Sequence, residues 1–204
     1  MIYRLFFPFL RVFARRRAKE VTGLENIPTE GPVLLVANHI DYLDGWLLVL
    51  LLVPEIKRKI HFLAQSKNYF WADEVTIPLE QHGKKEALTK TWEFLKNNKI
   101  IVLFPEGQRN SKRELLRGKT GAARLALWSK CPVIPIGIIG PSASRFRKSL
   151  GWLFSKPREV VINIGTPVAL ESYYNKPVDY ELLTDCTKEI MEAIGKLANK
   201  SYHY

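Results

Sequence analysis

A histidine and two aspartates lie between two apolar segments near the start of the chain. Residues 38–46 read NHIDYLDGW, with VLLVA before them and LLVLLLV after them. If His39 lies in a loop and Asp44 in the first turn of a following helix, their side chains can meet. The carboxylate would then hold one imidazole nitrogen protonated and leave the other free as a base. This pattern predicts general-base catalysis.

Two other interpretations of this segment remain open. A buried histidine with a structural partner would give the same pattern, and Asp41 is a competing carboxylate to which we assign a turn or capping role. Metal binding is disfavoured because the sequence has no HExxH or other paired-ligand spacing. We therefore expect no metal and no cofactor. The residues that a metal site would draw on are His39, Asp41, Asp44, His61 and His82.

A second polar segment, FPEGQRN at residues 104–110, follows another apolar run. Its proline and glycine predict a tight turn that carries Glu106. Arg109 supplies a planar guanidinium, which suits a phosphate group. Four further basic residues follow: Lys112, Arg113, Arg117 and Lys119. We expect some of them, especially Lys112 and Arg113, on a solvated surface.

Elements that would position these two segments alternate along the chain. Buried strands are predicted in GPVLLVAN, IHFLAQS, IIVLFPEG, PVIPIGIIG and EVVINIGTPV. Helices are predicted in LDGWLLVLLLVPEI, ending near Pro54, and in KEALTKTWEFLKNN, TGAARLALWSK and DYELLTDCTKEIMEAIGKLANK. Apolar strands separated by helices predict an α/β fold with a sheet covered on both faces. Catalytic and binding residues in such sheets lie in the loops that follow the strands. We therefore expect the two polar segments at the same edge of the sheet.

Composition narrows the class of protein. The chain has 204 residues, 47% of them hydrophobic, which fits one globular domain with a substantial core. The formal net charge is +11, so an anionic partner is expected: nucleic acid, a phospholipid surface or a phosphorylated small molecule. Two cysteines, Cys131 and Cys186, are too few for a disulfide framework, and we expect both in the core.

The first twenty residues, MIYRLFFPFLRVFARRRAKE, combine aromatic side chains with six basic residues and one acidic residue. A membrane-spanning helix needs about 20 nearly uninterrupted apolar residues, which no segment supplies. Residues 1–20 are therefore interpreted as an amphipathic interfacial helix on an anionic membrane surface, preceding a single domain at 21–204. The alternative is an ordinary helix packed on the domain with a solvated basic face.

These motifs together resemble the PlsC-type glycerophospholipid acyltransferases, whose best-known members are the lysophosphatidic acid acyltransferases. Asn38, His39 and Asp44 match the family's NHx4D motif. Residues 104–109 match its FPEGxRS motif, with Asn110 in place of the serine. Gly118, Lys119 and Gly121 and the segment PVIPI at 132–136 resemble later family blocks, so the resemblance covers about residues 20–170.

The resemblance implies the family fold, a mixed and largely parallel sheet flanked by helices, and a fatty acyl transfer. His39 and Asp44 would be catalytic, and Asn38, Glu106, Gly107, Arg109 and Lys119 would bind substrate. Glu106 would either bind the glycerol or brace Arg109, and the sequence leaves both open. The donor would be acyl-CoA or acyl carrier protein, and the acceptor a lysophospholipid such as 1-acyl-glycerol-3-phosphate, giving phosphatidic acid. The enzyme would lie peripherally on the cytoplasmic face of the membrane.

One departure from the family concerns the acceptor. Family members often carry an arginine between the two motifs, where this chain has IPLEQHGKK with Gln81 at that place. Lys84 or Lys85 could substitute, or the acceptor could be another lysolipid such as a lyso-ornithine lipid. A non-catalytic lipid-surface binding protein of the same fold is the alternative from another class. Nucleic acid is not expected as a partner, because no RNA-binding motif accompanies the basic residues.

Overall fold

A central sheet and five surrounding helices make up the described part of the chain. The computed structural model describes residues 2–64, 76–78, 83–142, 147–149, 151 and 159–204. The helices are α1 (Ile2–Arg17), α2 (Asp44–Ile56), α3 (Gly83–Lys96), α4 (Gly121–Ser129) and α5 (Tyr180–Ala198). The strands are β1 (Ala18–Thr22), β2 (Val33–Ala37), β3 (Ile60–Ala64), β4 (Thr76–Pro78), β5 (Ile100–Leu103), β6 (Val133–Ile139) and β7 (Val160–Ile164).

The seven strands found in the described residues form one mixed sheet. Their order is β1-β7-β6-β2-β5-β3-β4, and neighbours are parallel except β6 and β7. Strands β2, β5 and β6 are nearly continuous runs of buried aliphatic residues, as expected where helices cover both faces. The predicted α/β fold with a mixed, largely parallel sheet flanked by helices is confirmed.

Alternate residues of β2 enter two different hydrophobic cores. Val33 and Leu35 belong to the core that contains α2 and the inner face of α1. Leu34 and Val36 belong to the core formed with α3, α4 and α5. Side chains of a strand point alternately to opposite faces, so burial on both faces fixes the register of β2 against its neighbours.

The register of the central strands brings two loops together. Val36 of β2 pairs with Leu103 of β5, and Ala37 pairs with Ile136 of β6. Strands β2 and β5 are parallel and end level with each other, so the residues that follow them leave the sheet side by side. This is the edge at which the two polar segments were expected to meet.

The N-terminal helix is shorter than predicted. It ends at Arg17, and Ala18–Thr22 forms edge strand β1, parallel to β7. The boundary drawn between residues 20 and 21 was therefore wrong, because it falls inside a strand. Helix α1 also packs on the domain: the guanidinium groups of Arg11 and Arg15 both pair with Glu55 of α2.

Helix α2 ends at Ile56, the last residue of the predicted segment, and the Lys57 N–H donates to the Val53 carbonyl at this end. The short edge strands β1 and β4 were not predicted. No helix in the described part of the chain is long and apolar enough to cross a bilayer.

Candidate active site

Asp44, the first residue of α2, holds the His39 side chain. Asp44 Oδ2 lies 2.8 Å from His39 Nδ1 and also accepts the backbone N–H groups of Ile40 at 2.7 Å and Asp41 at 2.8 Å. The predicted contact between loop histidine and first-turn aspartate is therefore present. The carboxylate accepts at Nδ1, so the proton is held there and Nε2 is left with its lone pair.

Burial shapes the electrostatics of this pair. Asp44 is 1% exposed, and burial raises the pKa of its carboxyl group, while the bonds from His39 and from the backbone of Asp41 and Ile40 oppose that rise. The His39 side chain retains 21% exposure. The imidazole can therefore be reached from outside, whereas the carboxylate that orients it cannot.

Residues of the loop after β5 contact both the imidazole ring and the backbone of His39. The Phe104 ring stacks on the imidazole, with ring centroids 4.3 Å apart and planes 21° from parallel. Glu106 Oε1 accepts the His39 backbone N–H at 3.2 Å, and the Asn110 N–H donates to the His39 carbonyl at 2.6 Å. Both polar groups of the His39 backbone are thus held by this second loop.

Glu106 is a buried brace between loops. It is 3% exposed, and its Oε2 accepts from Asn110 Nδ2 at 2.7 Å and from the Leu116 N–H at 2.9 Å. Together with the His39 N–H, these are three donors to one carboxylate. The alternatives left open by the sequence were a glycerol contact and a contact with Arg109. The observed partners are instead protein groups that hold His39 and the following loop.

Asn38 extends the pairing of β2 with β6. Its side-chain Nδ2 donates to the Ile138 carbonyl at 2.9 Å, and its Oδ1 accepts the Ile138 N–H at 2.7 Å. The residue is 0% exposed. Its amide thus replaces a backbone pair just where β2 ends, which fixes the start of the His39 loop. The geometry assigns Asn38 a positioning role, whereas the resemblance implied substrate binding.

Asp41 has the turn role predicted for it. Its Oδ1 accepts the Leu43 N–H at 3.0 Å, the two-residue spacing of an Asx turn, and its Oδ2 accepts the Ser149 hydroxyl at 2.9 Å. Within the described residues, no group of three or more His, Cys, Asp or Glu side chains could hold a metal ion. Of the other residues considered as metal ligands, His61 is buried in β3, and His82 lies outside the described residues.

The FPEG turn has the expected form. The Gly107 N–H donates to the Phe104 carbonyl at 2.9 Å, and Gly107 has a φ of +69°. The Lys119 side chain lies across this glycine, so a Cβ at position 107 would be 2.1 Å from Lys119 Nζ. The Arg109 guanidinium carbon lies 3.2 Å from the centre of the Tyr42 ring. The Lys119 side chain thus packs on the turn that contains Gly107, and Arg109, two residues further on, contacts Tyr42 of the His39 loop.

Two residues of this site were missed in the sequence. Asn110 was noted only as a replacement for serine, yet it is buried and joins His39 to Glu106. Lys200 was not considered, although its Nζ donates to the Asn110 carbonyl at 2.8 Å. Lys200 lies ninety positions away with no surrounding motif, so only the tertiary structure could identify it.

Comparison with known proteins matches residues 18–139 to the family described as Acyltransferase, which is more than half of the chain. The chain belongs to this family. A 1-acyl-sn-glycerol-3-phosphate acyltransferase of Bacillus subtilis is 26% identical over 198 residues, covering 93% of this chain and 92% of that protein. The alpha form of Mus musculus is 28% identical over 183 residues, covering 86% of this chain and 62% of the mouse protein.

A solved structure shares the fold. The crystal structure of the 1-acyl-sn-glycerophosphate acyltransferase PlsC from Thermotoga maritima gives a TM-score of 0.64 at 22% identity, covering 95% of this chain and 81% of that one. The resemblance to the PlsC-type family is confirmed, and the chain is an O-acyltransferase of the glycerolipid type. Lys200 lies beyond the matched segment.

The position of the missing family arginine is outside the part of the acyltransferase that can be described. Gln81 lies outside the described residues, as do the side chains of Lys84 and Lys85.

Proposed function

We propose that the enzyme moves a fatty acyl group from a thioester, acyl-CoA or acyl carrier protein, to the hydroxyl of 1-acyl-glycerol-3-phosphate, giving phosphatidic acid. The observation that carries this proposal is the buried carboxylate of Asp44, whose Oδ2 lies 2.8 Å from Nδ1 of a partly exposed His39. The FPEG turn, on which the Lys119 side chain packs, lies beside this pair. The name of the Bacillus subtilis relative, which is similar over nearly its whole length, supports the acceptor.

His39 would act as the general base. Nε2 takes the proton of the acceptor hydroxyl while its oxygen attacks the thioester carbonyl carbon. The tetrahedral intermediate then expels the thiolate, which recovers the proton from the imidazolium, so an ester replaces the thioester with no oxidation. Proton transfer of this kind contributes about 10²–10⁴ in rate. The roles of His39 and Asp44 are catalytic in this scheme.

Direct transfer without an acyl-enzyme is the simpler course. Burial raises the pKa of the Cys131 thiol, and burial together with the charge of Glu189 raises the pKa of Cys186 to about 12. Such thiols are poor nucleophiles near neutral pH. The reaction proposed here uses no metal and no cofactor, and the acyl thioester is a co-substrate.

Arg109 and Lys119 would bind the acceptor's phosphate. Both side chains are exposed. Arg109 follows Gly107 by two residues, and the bare α-carbon of Gly107 leaves room for the Lys119 side chain. Holding the phosphate there would fix the acceptor hydroxyl against His39, and such positioning is a large source of acceleration. Glu106, which meets only protein donors in the described residues, would support the turn rather than the glycerol.

Helix α1 would hold the enzyme on the cytoplasmic face of an anionic membrane. Phe9 and Val12 are each 57% exposed on its outer side, and Arg15 and Arg16 are exposed nearby. Apolar side chains that enter the headgroup region, beside basic ones that attract anionic lipid, suit an interfacial helix. The cytoplasmic leaflet is the one accessible to acyl-CoA and acyl carrier protein.

The test is acyl transfer by the purified protein on liposomes containing 1-acyl-glycerol-3-phosphate, with labelled acyl-CoA and labelled acyl carrier protein supplied separately. Labelled phosphatidic acid is expected, and the donor that produces it identifies the thioester used. Product only from a different lysolipid, such as a lyso-ornithine lipid, would overturn the acceptor. No product from any acceptor, together with intact liposome binding, would favour the non-catalytic binding protein.

A further inference from the structure

The segment after α5 returns to the active-site loops. Beyond Ala198, the N–H of Ser201 donates to the Arg113 carbonyl at 3.2 Å, and the Leu115 N–H donates to the Ser201 carbonyl at 2.9 Å. The Gly118 N–H also meets the Tyr202 hydroxyl at 3.3 Å. These bonds hold residues 199–202 along the loop that follows β5, so Lys200 has a fixed place beside that loop.

Lys200 ends a chain of contacts that begins at His39. Lys200 Nζ donates to the Asn110 carbonyl at 2.8 Å. The Asn110 N–H donates to the His39 carbonyl at 2.6 Å, and its side-chain amide donates to Glu106 Oε2 at 2.7 Å. Lys200 thus contacts the residue whose N–H holds the His39 backbone and whose side chain holds the brace Glu106.

The charge of Lys200 complements two buried carboxylates. Asp44 is 1% exposed and Glu106 is 3% exposed. Partial burial lowers the pKa of Lys200, while attraction to Glu106 and Asp44 opposes that fall. Two carboxylates enclosed next to a base need a nearby cation if they are to stay ionised.

We propose that Lys200 is a positioning residue of the acyl transfer site: its ammonium group compensates the charges of Glu106 and Asp44 and holds Asn110 against His39. This inference rests on the proposed general-base role of His39. The charged groups around that imidazole come from four segments. They are Asp44 on α2, Asp41 in the turn between His39 and α2, Glu106 and the Tyr42-stacked Arg109 after β5, and Lys200 from the segment after α5.

Replacing Lys200 with glutamine would remove a positive charge near the proposed base, His39, and would leave the residues that bind substrate unchanged. The site around His39 would then carry one positive charge fewer. For Lys200→Gln we expect kcat to fall between about tenfold and about 10²-fold, with the KM for the acceptor little changed. We also expect the acidic limb of the kcat/KM profile to move to higher pH, because a cation near the base is lost. Lys200→Arg keeps the charge and should keep the limb in place.

The matched control is Lys196→Gln, which removes one exposed positive charge in the last turn of α5. It should leave the pH profile unchanged. If the two glutamine variants give the same profile while the wild type transfers acyl groups, the Lys200 inference is wrong and the proposed function stands. A loss of thermal stability without movement of the acidic limb would equally overturn it, because it would indicate a structural contact only.

NMR spectroscopy tests the inference independently of turnover. The His39 imidazole signals, assigned with a His39→Ala sample, should shift in Lys200→Gln and stay in place in Lys196→Gln, because Lys200 is bonded to Asn110, which contacts His39. In the wild type alone, the labelled Lys200 ammonium should exchange with water more slowly than the exposed Lys196 ammonium, because it is bonded to the Asn110 carbonyl. Equal exchange at the two lysines contradicts the proposal even if every variant fails to fold.

Discussion

One carboxylate oxygen of Asp44 accepts three hydrogen bonds, from the imidazole of His39 and from the backbone N–H groups of Ile40 and Asp41. An asparagine at position 44 with its oxygen in the place of Oδ2 could accept all three hydrogen bonds. It would carry no negative charge. The carboxylate charge stabilises the imidazolium that forms when His39 takes the proton of the acceptor hydroxyl, so the neutral amide would raise the barrier to that transfer.

Asp44→Asn should therefore lower kcat by about 10²-fold or more. Stability should not fall with it. The pKa of Asp44 is raised in the folded protein, so the folded state holds a proton more tightly than the unfolded chain does, and stability at this residue decreases as pH rises through the folded pKa. Removing the carboxylate removes that cost near neutral pH. Activity assays beside urea unfolding at pH 7 measure both effects.

A clear drop in the free energy of unfolding of Asp44→Asn would contradict this account. It would mean that the carboxylate is retained for stability, and that the loss of activity reflects a distorted loop.

Gly107 makes the second residue-level prediction. Its φ is +69°, and a methyl group there would collide with the Lys119 side chain. Gly107→Ala should cost about 1–3 kcal/mol in unfolding free energy through backbone strain. It should also raise the KM for the acceptor about tenfold, because a displaced Lys119 loses a charge-assisted contact with phosphate. Denaturant unfolding and steady-state kinetics provide the two measurements.

Gly31 offers a matched control for this substitution. It has a similar φ of +74°, but nothing lies within 4 Å of a Cβ placed on it. Gly31→Ala should therefore show the backbone cost alone, with an unchanged KM. Equal rises of KM in the two variants would refute the proposed contact between Lys119 and the acceptor.

At the scale of single elements, strand β3 contains a buried titratable group. His61 is 8% exposed and its ring meets that of Phe94 edge-on, with centroids 5.0 Å apart. Burial first, and then the charges of Lys99 and Lys59, lower the pKa of this histidine. The unfolded chain therefore takes up a proton at higher pH than folded His61 does. The contribution of neutral His61 to the free energy of unfolding is complete above about pH 6.5. It decreases as the pH falls below that value and levels off below the folded pKa.

His61→Phe keeps an aromatic ring against Phe94 and removes the titration. The free energy of unfolding of this variant should fall less between pH 7 and pH 5 than that of the wild type, as measured by the urea midpoint. His203→Gln removes an exposed histidine and serves as the control, with a wild-type pH dependence expected. The idea would be refuted if the His61→Phe and His203→Gln variants lost equal stability on acidification.

The elements that sequence predicted best are those with long, doubly buried apolar runs. VLLVA and VIPIGII were predicted as strands from their apolar runs, and the structure places both in the middle of the sheet. The meeting of the loops after β2 and β5 was predicted from the α/β pattern. Strand β1 has the sequence AKEVT, largely exposed, so it carries no such signal and takes its structure from pairing with β7. The hydrogen-bond partners of Asn38 and Glu106 could not be predicted for a related reason, because the sequence does not show whether a polar motif residue is buried.

At the scale of the whole molecule, helix α1 has an inner and an outer side. Its inner side packs on the core through Phe7, Leu10 and Phe13, and Arg11 and Arg15 pair with Glu55 of α2. Phe9 and Val12 are exposed on its outer side. The proposed membrane-bound state would place this outer side in the headgroup region of the bilayer.

Replacing Phe9 and Val12 together with aspartate should weaken binding to anionic vesicles by at least about tenfold, because burial of apolar area is lost and repulsion is added. Vesicle sedimentation measures this directly. Val178→Asp alters an aliphatic residue of 48% exposure before α5 and should bind like the wild type. If Val178→Asp weakens binding as much as the double substitution, the membrane-facing role of α1 is wrong.

The most direct test of the central claim compares His39→Ala with the wild type in single-turnover acyl transfer on vesicles, using saturating donor and protein. General-base catalysis by His39 predicts a loss of about 10²–10⁴ in the rate of ester formation with vesicle binding unchanged. A variant that forms the ester at a rate close to that of the wild type would contradict the account, because another group would then have to accept the hydroxyl proton.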